Sequence, residues 1–350
     1  MRTKAAWSGT IAGVFPSTPR DSEAWDDDVS REIARSAPGR SSSGFYAGAP
    51  KKDPSIGRRE EHDDEEEFEE EVPVAPVRRE LSLAIAGFAA LLGVGLILGA
   101  QTAGPDARLP YAIVIFGVQL LYVLAFTMAI RPPASGIVAG VSVVAGLLAD
   151  RVAVTTEPAG ILPLVYVTAG AFAAAVIGQA VRGAASRTQL RDALGGTFLI
   201  VLGVVSFPLL IVLTRRPVGT QAVLVCLIAV ALSLLIAHLT DAVWPKPRIA
   251  AQVPRGATGV VLGAMLGTLA AAVLGSVMVL PFTPAKGALL GFVVAGIAAL
   301  VDLAVNYSEA GRNMAGDAPT FWVARHMQGP LGAFAFTLPA TYAMTVFVLS

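Results

Sequence analysis

Long apolar runs separated by short polar connections fill the chain from residue 81 to its end. Nine runs lie near residues 82–101, 109–130, 135–150, 160–181, 193–214, 220–240, 257–280, 287–306 and 329–349. A helix rises about 1.5 Å per residue, so about 20 apolar residues cross a hydrocarbon layer of about 30 Å. The pattern predicts an all-α fold, a polytopic transmembrane helix bundle of about nine helices.

The third run is the shortest of the nine and ends at Asp150 and Arg151. A tilted, kinked or re-entrant segment also fits this length, so eight spans are an alternative. The longest connection, about 307–328, is too short for an independent domain. Any activity is therefore expected within the membrane or at its face.

Residues 1–80 have a different pattern, with Pro- and Ser-rich stretches and no sustained apolar period. Such a segment buries too little apolar surface to fold, so we expect a disordered, acidic tail before a membrane domain at 81–350. No signal-peptide pattern is visible in it. An acidic run begins at Glu60 and ends at Glu71, with 10 Asp or Glu among 12 residues. A solvated spacer is the favoured interpretation. A docking site for a basic protein partner and a weak divalent-ion sink are the alternatives.

Composition and charge strengthen this division. Only 15% of all residues are charged and 54% are apolar, whereas soluble domains carry about 25% charge. The net charge of zero combines 18 acidic and 12 basic residues in 1–80 with 8 acidic and 14 basic residues in 81–350. The opposite signs suggest an internal contact between the acidic run and basic residues of the membrane domain. The excess of arginine over lysine, 21 to 5, suggests a GC-rich bacterial source.

The distribution of basic residues predicts the orientation of the spans. With the amino terminus inside, the inside connections carry nine Arg or Lys residues and the outside connections carry five. Arg78 and Arg79 precede the first span and add to the inside count, whereas Arg215 and Arg216 oppose the assignment. Because positive residues favour the inside, we expect a bacterial cytoplasmic membrane protein with a cytoplasmic amino terminus.

Small residues recur at every fourth position in two spans. The seventh span has Gly259, Gly263, Gly267, Ala271 and Gly275, and the eighth has Gly287, Gly291, Ala295 and Ala299. Such spacing lets a neighbouring backbone approach closely. The pattern predicts tight helix packing, with a groove for a lipid chain as the less favoured interpretation.

Ionisable side chains in or beside the spans are candidate functional residues because they are costly in lipid. The set includes Asp150 and Glu309, with Gln119 and Gln179 as neutral polar residues. In the predicted topology, several others meet at the cytoplasmic face. This candidate polar cluster comprises His238, Asp241, Asp302, Asn306 and His326. The candidates for binding a headgroup or phosphate are Lys246, Arg248, Arg255, Arg312 and Arg325.

Each candidate also has a simpler interpretation. Basic residues on cytoplasmic connections are the ordinary topology signal. His238 fits an interhelical hydrogen bond, and His326 follows the interfacial aromatic residues Phe321 and Trp322. Asp302 is the hardest to explain in this way, because apolar residues flank it on both sides.

The sequence holds few other signals of chemistry. It has no phosphate-binding Gly-rich loop with lysine, no zinc-type Cys/His spacing and no nucleophile elbow. A basic patch with interleaved aromatic residues is also missing, which argues against a nucleic-acid partner. The single cysteine, Cys226, excludes an intrachain disulfide.

From residue 238 to the end, the order of features resembles the phosphatidate cytidylyltransferase family, multi-pass enzymes that make CDP-diacylglycerol from CTP and phosphatidic acid. His-Leu-Thr-Asp-Ala at 238–242, Lys-Pro-Arg at 246–248 and Val-Pro-Arg-Gly at 253–256 are similar to successive family segments. Val-Asp-Leu at 301–303 stands where the family has Gly-Asp-Leu. His326 and Gly329 stand where it has P-G-H-G-G, and the last span with Pro339 resembles its last helix. The resemblance implies a lipid-related site at the cytoplasmic face.

The chain departs from the family at the metal-binding motif. The family histidine leads into D-R-x-D, and the corresponding positions here are Leu331, Gly332 and Phe334. The family's Lys-Arg pair is replaced by Glu309 and Ala310. Nucleotidyl transfer needs metal-stabilised charge on the phosphates, so no confident catalytic residue or cofactor is identified.

The sequence thus predicts a non-catalytic relative of this family that binds membrane lipids or acts as a scaffold. One alternative is a small-solute or lipid transporter, or a flippase, that uses Asp302 and His238. The other is an active lipid-headgroup nucleotidyltransferase with a rearranged metal site, and only this alternative requires Mg²⁺.

Overall fold

The computed structural model describes residues 75–102, 108–182, 187–318 and 320–349. Of the segment 1–80 that was predicted to be disordered, residues 1–74, including the acidic run from Glu60 to Glu71, lie outside the described residues, whereas Arg79 and Glu80 already belong to the first helix. The helices are α1 (Arg79–Thr102), α2 (Arg108–Ile130), α3 (Ser135–Thr155), α4 (Leu162–Val181), α5 (Arg187–Ser206), α6 (Leu209–Thr214), α7 (Gly219–Val243), α8 (Ala257–Val277), α9 (Pro284–Met314) and α10 (Trp322–Met344), which a π-helical turn, Thr345–Leu349, extends.

The described residues contain nine helical segments long and apolar enough to cross a membrane, with α5 and α6 joined in the span Thr188–Thr214. The third segment has 21 residues because α3 continues through Asp150 and Arg151 to Thr155. This length favours nine spans over eight. The predicted helix bundle is confirmed, and the chain is a multi-pass membrane protein.

The outer surface of the bundle is made of large apolar side chains. Leu91 is 73% exposed, Ile113 66% and Leu300 68%. A soluble protein does not expose so many large apolar side chains around its whole circumference. These side chains therefore face lipid.

The span formed by α5 and α6 is the most enclosed of the described spans. Its α-helix is interrupted at Phe207 and Pro208, because proline has no backbone N–H to continue the hydrogen-bonding ladder. On its inner side, the Tyr122 hydroxyl donates to the Leu199 carbonyl at 2.9 Å. The Tyr122 ring also meets the Phe207 ring of this span edge-on, with a centroid distance of 5.8 Å. These contacts fix α2 against α5.

Contacts between connections group the helix ends into two faces. At the first, which we call the proximal face, the backbone N–H of Ala75 donates to the Ala251 carbonyl at 3.0 Å, and Arg312 donates to the Ala129 carbonyl. At the opposite, distal face, Arg215 pairs with Glu157, and Arg108 lies 3.4 Å from the same carboxylate. Successive connections between helices therefore alternate between the two faces, as nine consecutive membrane spans require.

Glycines allow three helices to touch at their backbones. A Cβ atom added at Gly263 of α8 would lie 2.3 Å from the Ser233 carbonyl oxygen of α7. One added at Gly287 of α9 would lie 2.3 Å from the Ala271 carbonyl oxygen of α8. The predicted tight packing of the seventh and eighth spans is confirmed, and α8 lies against both α7 and α9.

Gly263→Ala should destabilise the bundle because the new methyl group would force α7 and α8 apart. Overpacking of this kind costs about 1–3 kcal/mol, measurable as a lower midpoint of thermal or denaturant unfolding in detergent. Gly296→Ala on α9 is the matched control, since nothing lies within 4 Å of the added atom. Equal midpoints for the two variants would contradict the close contact.

Candidate functional site

The connection between α7 and α8 folds back as a short hairpin. Arg248 and Gly256 form an antiparallel bridge, and the N–H of Ile249 donates to the Arg255 carbonyl at 3.1 Å. The N–H of Ala257 donates to the Pro247 carbonyl at 2.8 Å. The hairpin thereby brings Arg255 to the start of α8, where its side chain is only 2% exposed.

Arg255 bridges two buried carboxylates from different helices. Its Nη1 lies 2.6 Å from Asp241 Oδ2 on α7, and its Nη2 lies 2.9 Å from Asp302 Oδ2 on α9. The third contact is to His238 of α7, whose Nδ1 lies 2.8 Å from Arg255 Nη1. We call these four residues the Arg255 cluster. All of them are at least 98% buried.

The hydrogen bonds of the cluster define the tautomer of His238. Because a guanidinium only donates, Nδ1 of His238 must accept from Arg255. The proton is then on Nε2, which lies 3.3 Å from Asp302 Oδ1 and donates to it. With a neutral imidazole, the cluster holds two carboxylates and one guanidinium, a formal charge of −1.

The start of α8 stabilises the remaining negative charge. The backbone N–H of Gly256, the N-cap of α8, donates to Asp241 Oδ1 at 3.0 Å. Free N–H groups and the helix dipole favour an anion at this end of a helix. The Asp241 carboxylate is therefore stabilised by the Arg255 guanidinium, by the Gly256 N–H and by the dipole at the start of α8.

Glycines enclose the two carboxylates. A Cβ atom at Gly259 of α8 would lie 2.5 Å from Asp241 Oδ1, and one at Gly329 of α10 would lie 2.6 Å from Asp302 Oδ1. No larger residue fits at either position without displacing a carboxylate. The Arg255 cluster thus touches α7, α8, α9 and α10 and is a closed, internally paired site.

Three of the five predicted cluster residues, His238, Asp241 and Asp302, meet as expected. Asn306 shares the helix face of Asp302, but its Nδ2 donates to the Asp302 backbone carbonyl at 2.7 Å. His326 follows its simpler interpretation, with Nδ1 2.6 Å from the Trp322 carbonyl oxygen and its ring against the Trp322 indole. Among the described residues, no hydrogen bond joins His326 to the Arg255 cluster.

The headgroup interpretation is wrong for one of the five basic candidates. Arg255 is buried and paired with two carboxylates, so its guanidinium cannot meet a lipid phosphate. The other four lie at the proximal face. Arg248 donates to the Ala75 carbonyl, and Arg312 pairs with Glu309. Lys246 is exposed, whereas Arg325 is partly buried and interacts electrostatically with Glu309.

The carboxylates are not arranged as a metal site. Within the described residues, no group of three or more His, Cys, Asp or Glu side chains is placed to hold a metal ion. Leu331 and Phe334 are fully buried in the apolar core. They stand at the positions of the two aspartates in the D-R-x-D motif of the resembled family.

Two polar contacts were not anticipated from the sequence. Gln119 of α2 donates to Asp150 of α3 at 3.3 Å. Glu309 accepts from the Thr320 hydroxyl at 2.6 Å, which ties the connection after α9 back to that helix. The signal for the first pair was present, since both residues interrupt apolar runs, but the sequence does not show which helices are neighbours.

Two clefts border α3. A cleft of about 580 Å³ lies at the proximal face between the ends of α2 and α3, where Thr127, Arg131 and Ser135 contribute polar groups. A groove of about 610 Å³ runs between α3 and α4, and its lining includes Gly140, Val144, Leu148, Tyr166 and Gly170. Ala139 lines the first cleft and Gly140 lines the second. Because these residues are consecutive in α3, the two clefts are adjacent along this helix.

No family model, curated protein or solved structure matches this chain. The resemblance to phosphatidate cytidylyltransferases therefore rests on the residues quoted from the sequence.

Arg255→Met should strongly destabilise the bundle, because it leaves two carboxylates buried without a cation. Breaking a buried ion pair from one side costs about 3–5 kcal/mol. The double variant Arg255→Met/Asp302→Asn should recover part of this loss by removing one negative charge. Unfolding midpoints in detergent measure both effects, with the exposed Arg182→Met as control. A single variant as stable as the control would contradict the proposed role of Arg255.

Proposed function

We propose that this multi-pass membrane protein binds membrane phospholipid without chemically converting it and is a non-catalytic relative of the phosphatidate cytidylyltransferases in residues 238–350. The observation that carries the lipid-binding part is the pair of clefts along α3. One cleft lies at the proximal face and has Arg131, Thr127 and Ser135 in a mixed lining, and the other is apolar and faces the bilayer. A phospholipid has the same division into a charged headgroup and apolar chains.

The apolar groove between α3 and α4 has the properties of an acyl-chain site. The added Cβ atoms at Gly140 and Gly170 would meet nothing within 4 Å, so the groove floor is open. Small residues on both helices create the space, and Tyr166, 67% exposed, stands at its edge. Apolar lining of this kind gives a lipid chain more contacts than flat helix surfaces do.

The proximal cleft suits a headgroup. Arg131 supplies positive charge there and Ser135 supplies a hydroxyl group, whereas the Thr127 hydroxyl donates to the Val123 carbonyl of its own helix. A guanidinium is well suited to bind a phosphate because its planar group can donate two hydrogen bonds to the phosphate oxygens. Anionic phospholipids are therefore the favoured class.

The Arg255 cluster supports the non-catalytic part of the proposal. Asp241 and Asp302 are the carboxylates that the resemblance places at the family's site, and both are paired with one guanidinium of the same chain. A divalent ion would have to displace Arg255 from a closed space. The cluster instead suits a structural role within the bundle.

The proposed setting is a bacterial cytoplasmic membrane with the proximal face in the cytoplasm. The positive residues at this face, among them Arg78, Arg131, Lys246 and Arg248, favour that side. In this orientation the cleft with Arg131 opens toward the anionic cytoplasmic leaflet.

Filling the groove should reduce lipid binding. The double variant Gly140→Phe/Gly170→Phe places two rings in the groove at positions where the Cβ atoms meet nothing within 4 Å, so the protein should fold and retain fewer phospholipids after mild delipidation. Native mass spectrometry counts the retained lipids. Gly95→Phe, at an exposed and equally open position on α1, is the control. Equal lipid counts in all three proteins would contradict a site in this groove.

Purified protein in liposomes should form no CDP-diacylglycerol from labelled CTP and phosphatidic acid in the presence of Mg²⁺, because the family's metal ligands are missing. Thin-layer chromatography of the extracted lipid measures the product. The reaction must be run beside protein whose fold is verified by its unfolding transition. Product that disappears in Asp302→Asn would establish the enzyme alternative instead.

A further inference from the structure

A second buried polar pair lies apart from the Arg255 cluster, where α2, α3 and α5 meet. Asp150 of α3 is 6% exposed and Gln119 of α2 is 1% exposed. Gln119 Nε2 donates to Asp150 Oδ1 at 3.3 Å and to the Val204 carbonyl at 3.1 Å. Because both of these partners are acceptors, the NH₂ end of the amide must face them.

This arrangement leaves one oxygen on each side chain without a donor. Asp150 Oδ2 and Gln119 Oε1 are both buried, and neither has a hydrogen-bond partner among the described residues. Two acceptors cannot bond to each other, and buried acceptors without donors are costly. The pair therefore lacks one hydrogen-bond donor.

An ionised Asp150 would also lack a counter-ion. Within the described residues, no ion pair includes this carboxylate. Arg215, which lies against the end of α3, donates to the carbonyls of Ala153 and Thr156 at 2.6 and 2.8 Å and pairs with Glu157. An uncompensated carboxylate within a membrane span is strongly disfavoured.

The helices packed against α3 offer few other charges. They are α2, α4, α5 and α6. Arg108 of α2 lies at the distal face on the Val154 carbonyl, and Arg151 of α3 is exposed. The charged residues of α5 are all near its first turn, at the proximal end, and α4 and α6 have none. The titratable residues on these helices are Tyr111, Tyr122, Tyr166, Arg108, Arg187, Arg191 and Asp192.

We propose that Asp150 is a proton-binding site, in which the carboxyl group holds a proton on Oδ2 and forms a neutral acid–amide pair with Gln119. Protonation converts Oδ2 into a donor, and Gln119 Oε1 is the free acceptor on the same amide. Two parallel hydrogen bonds then join α2 and α3: Nε2–H to Oδ1, and Oδ2–H to Oε1. One proton supplies the missing donor to both oxygens and removes the negative charge.

The position of Asp150 gives the proton a short route to water. The residue lies five positions before Thr155, the last residue of α3, which is about 7.5 Å of helix from the distal end. Loss of the proton would break one of the two bonds and place a charge between α2 and α3. This site is independent of the proposed lipid binding, since it uses the buried side of α3 and not the groove.

Infrared difference spectroscopy of the full chain in liposomes tests the proposal. At neutral pH the wild-type protein should show the C=O band of a protonated carboxyl group, and Asp150→Asn should lack it. Gln119→Met removes the amide partner but keeps the volume, so the band should remain and move to higher wavenumber. Asp192→Asn, at an exposed carboxylate, is the matched control and should leave the band unchanged.

Stability gives a second readout. Asp150→Asn imitates the neutral acid, because its amide both accepts and donates, and should unfold near the wild-type temperature at neutral pH. Raising the pH should lower the wild-type midpoint more than that of Asp150→Asn. A neutral-pH spectrum without the protonated band would overturn the proposal. A carboxylate band that shifts when sodium replaces choline would overturn it in favour of a cation site.

Discussion

One guanidinium shared by two carboxylates is the contact on which the carboxyl-terminal half of the bundle depends. Arg255 meets Asp241 of α7 and Asp302 of α9 inside segments where lipid provides no solvation. In such a medium each charge must be compensated within the protein. The compensation fixes the positions of α7 and α9, and it requires α8 to begin where Gly256 can donate to Asp241. The backbone contacts at Gly263 and Gly287 then become necessary, because α8 must fit between its neighbours.

The same constraint is met differently in the other half of the molecule. Among the described residues, no basic side chain pairs with Asp150, and its partner is the amide of Gln119. A neutral amide compensates a carboxyl group only when that group is uncharged. The two halves thus represent the two solutions that a low-dielectric medium allows, an ion cluster with a counter-charge and a polar pair without one.

Much of the fold could be predicted from the sequence because each membrane span is a long run of apolar residues. Seven of the nine span starts could be placed to within three residues, but the ends of α3 and α9 could not, since both helices continue past a charged residue. The candidate site was only partly predictable. Asp241 and Asp302 stood out as charges near apolar residues, whereas Arg255 looked like an ordinary cytoplasmic arginine. Its burial depends on the fold of the α7–α8 hairpin, which involves backbone bonds that no local pattern specifies.

The location of Arg255 on a connection, and not within a helix, has a consequence for how the chain enters the membrane. The hairpin of α7 and α8 contains His238, Asp241 and Arg255, so its carboxylate already has a counter-charge when these two helices are made. Asp302 follows 47 residues later, on α9. Arg255 is therefore synthesised before Asp302. When α9 enters the membrane, the guanidinium that pairs with its carboxylate is already present between α7 and α8.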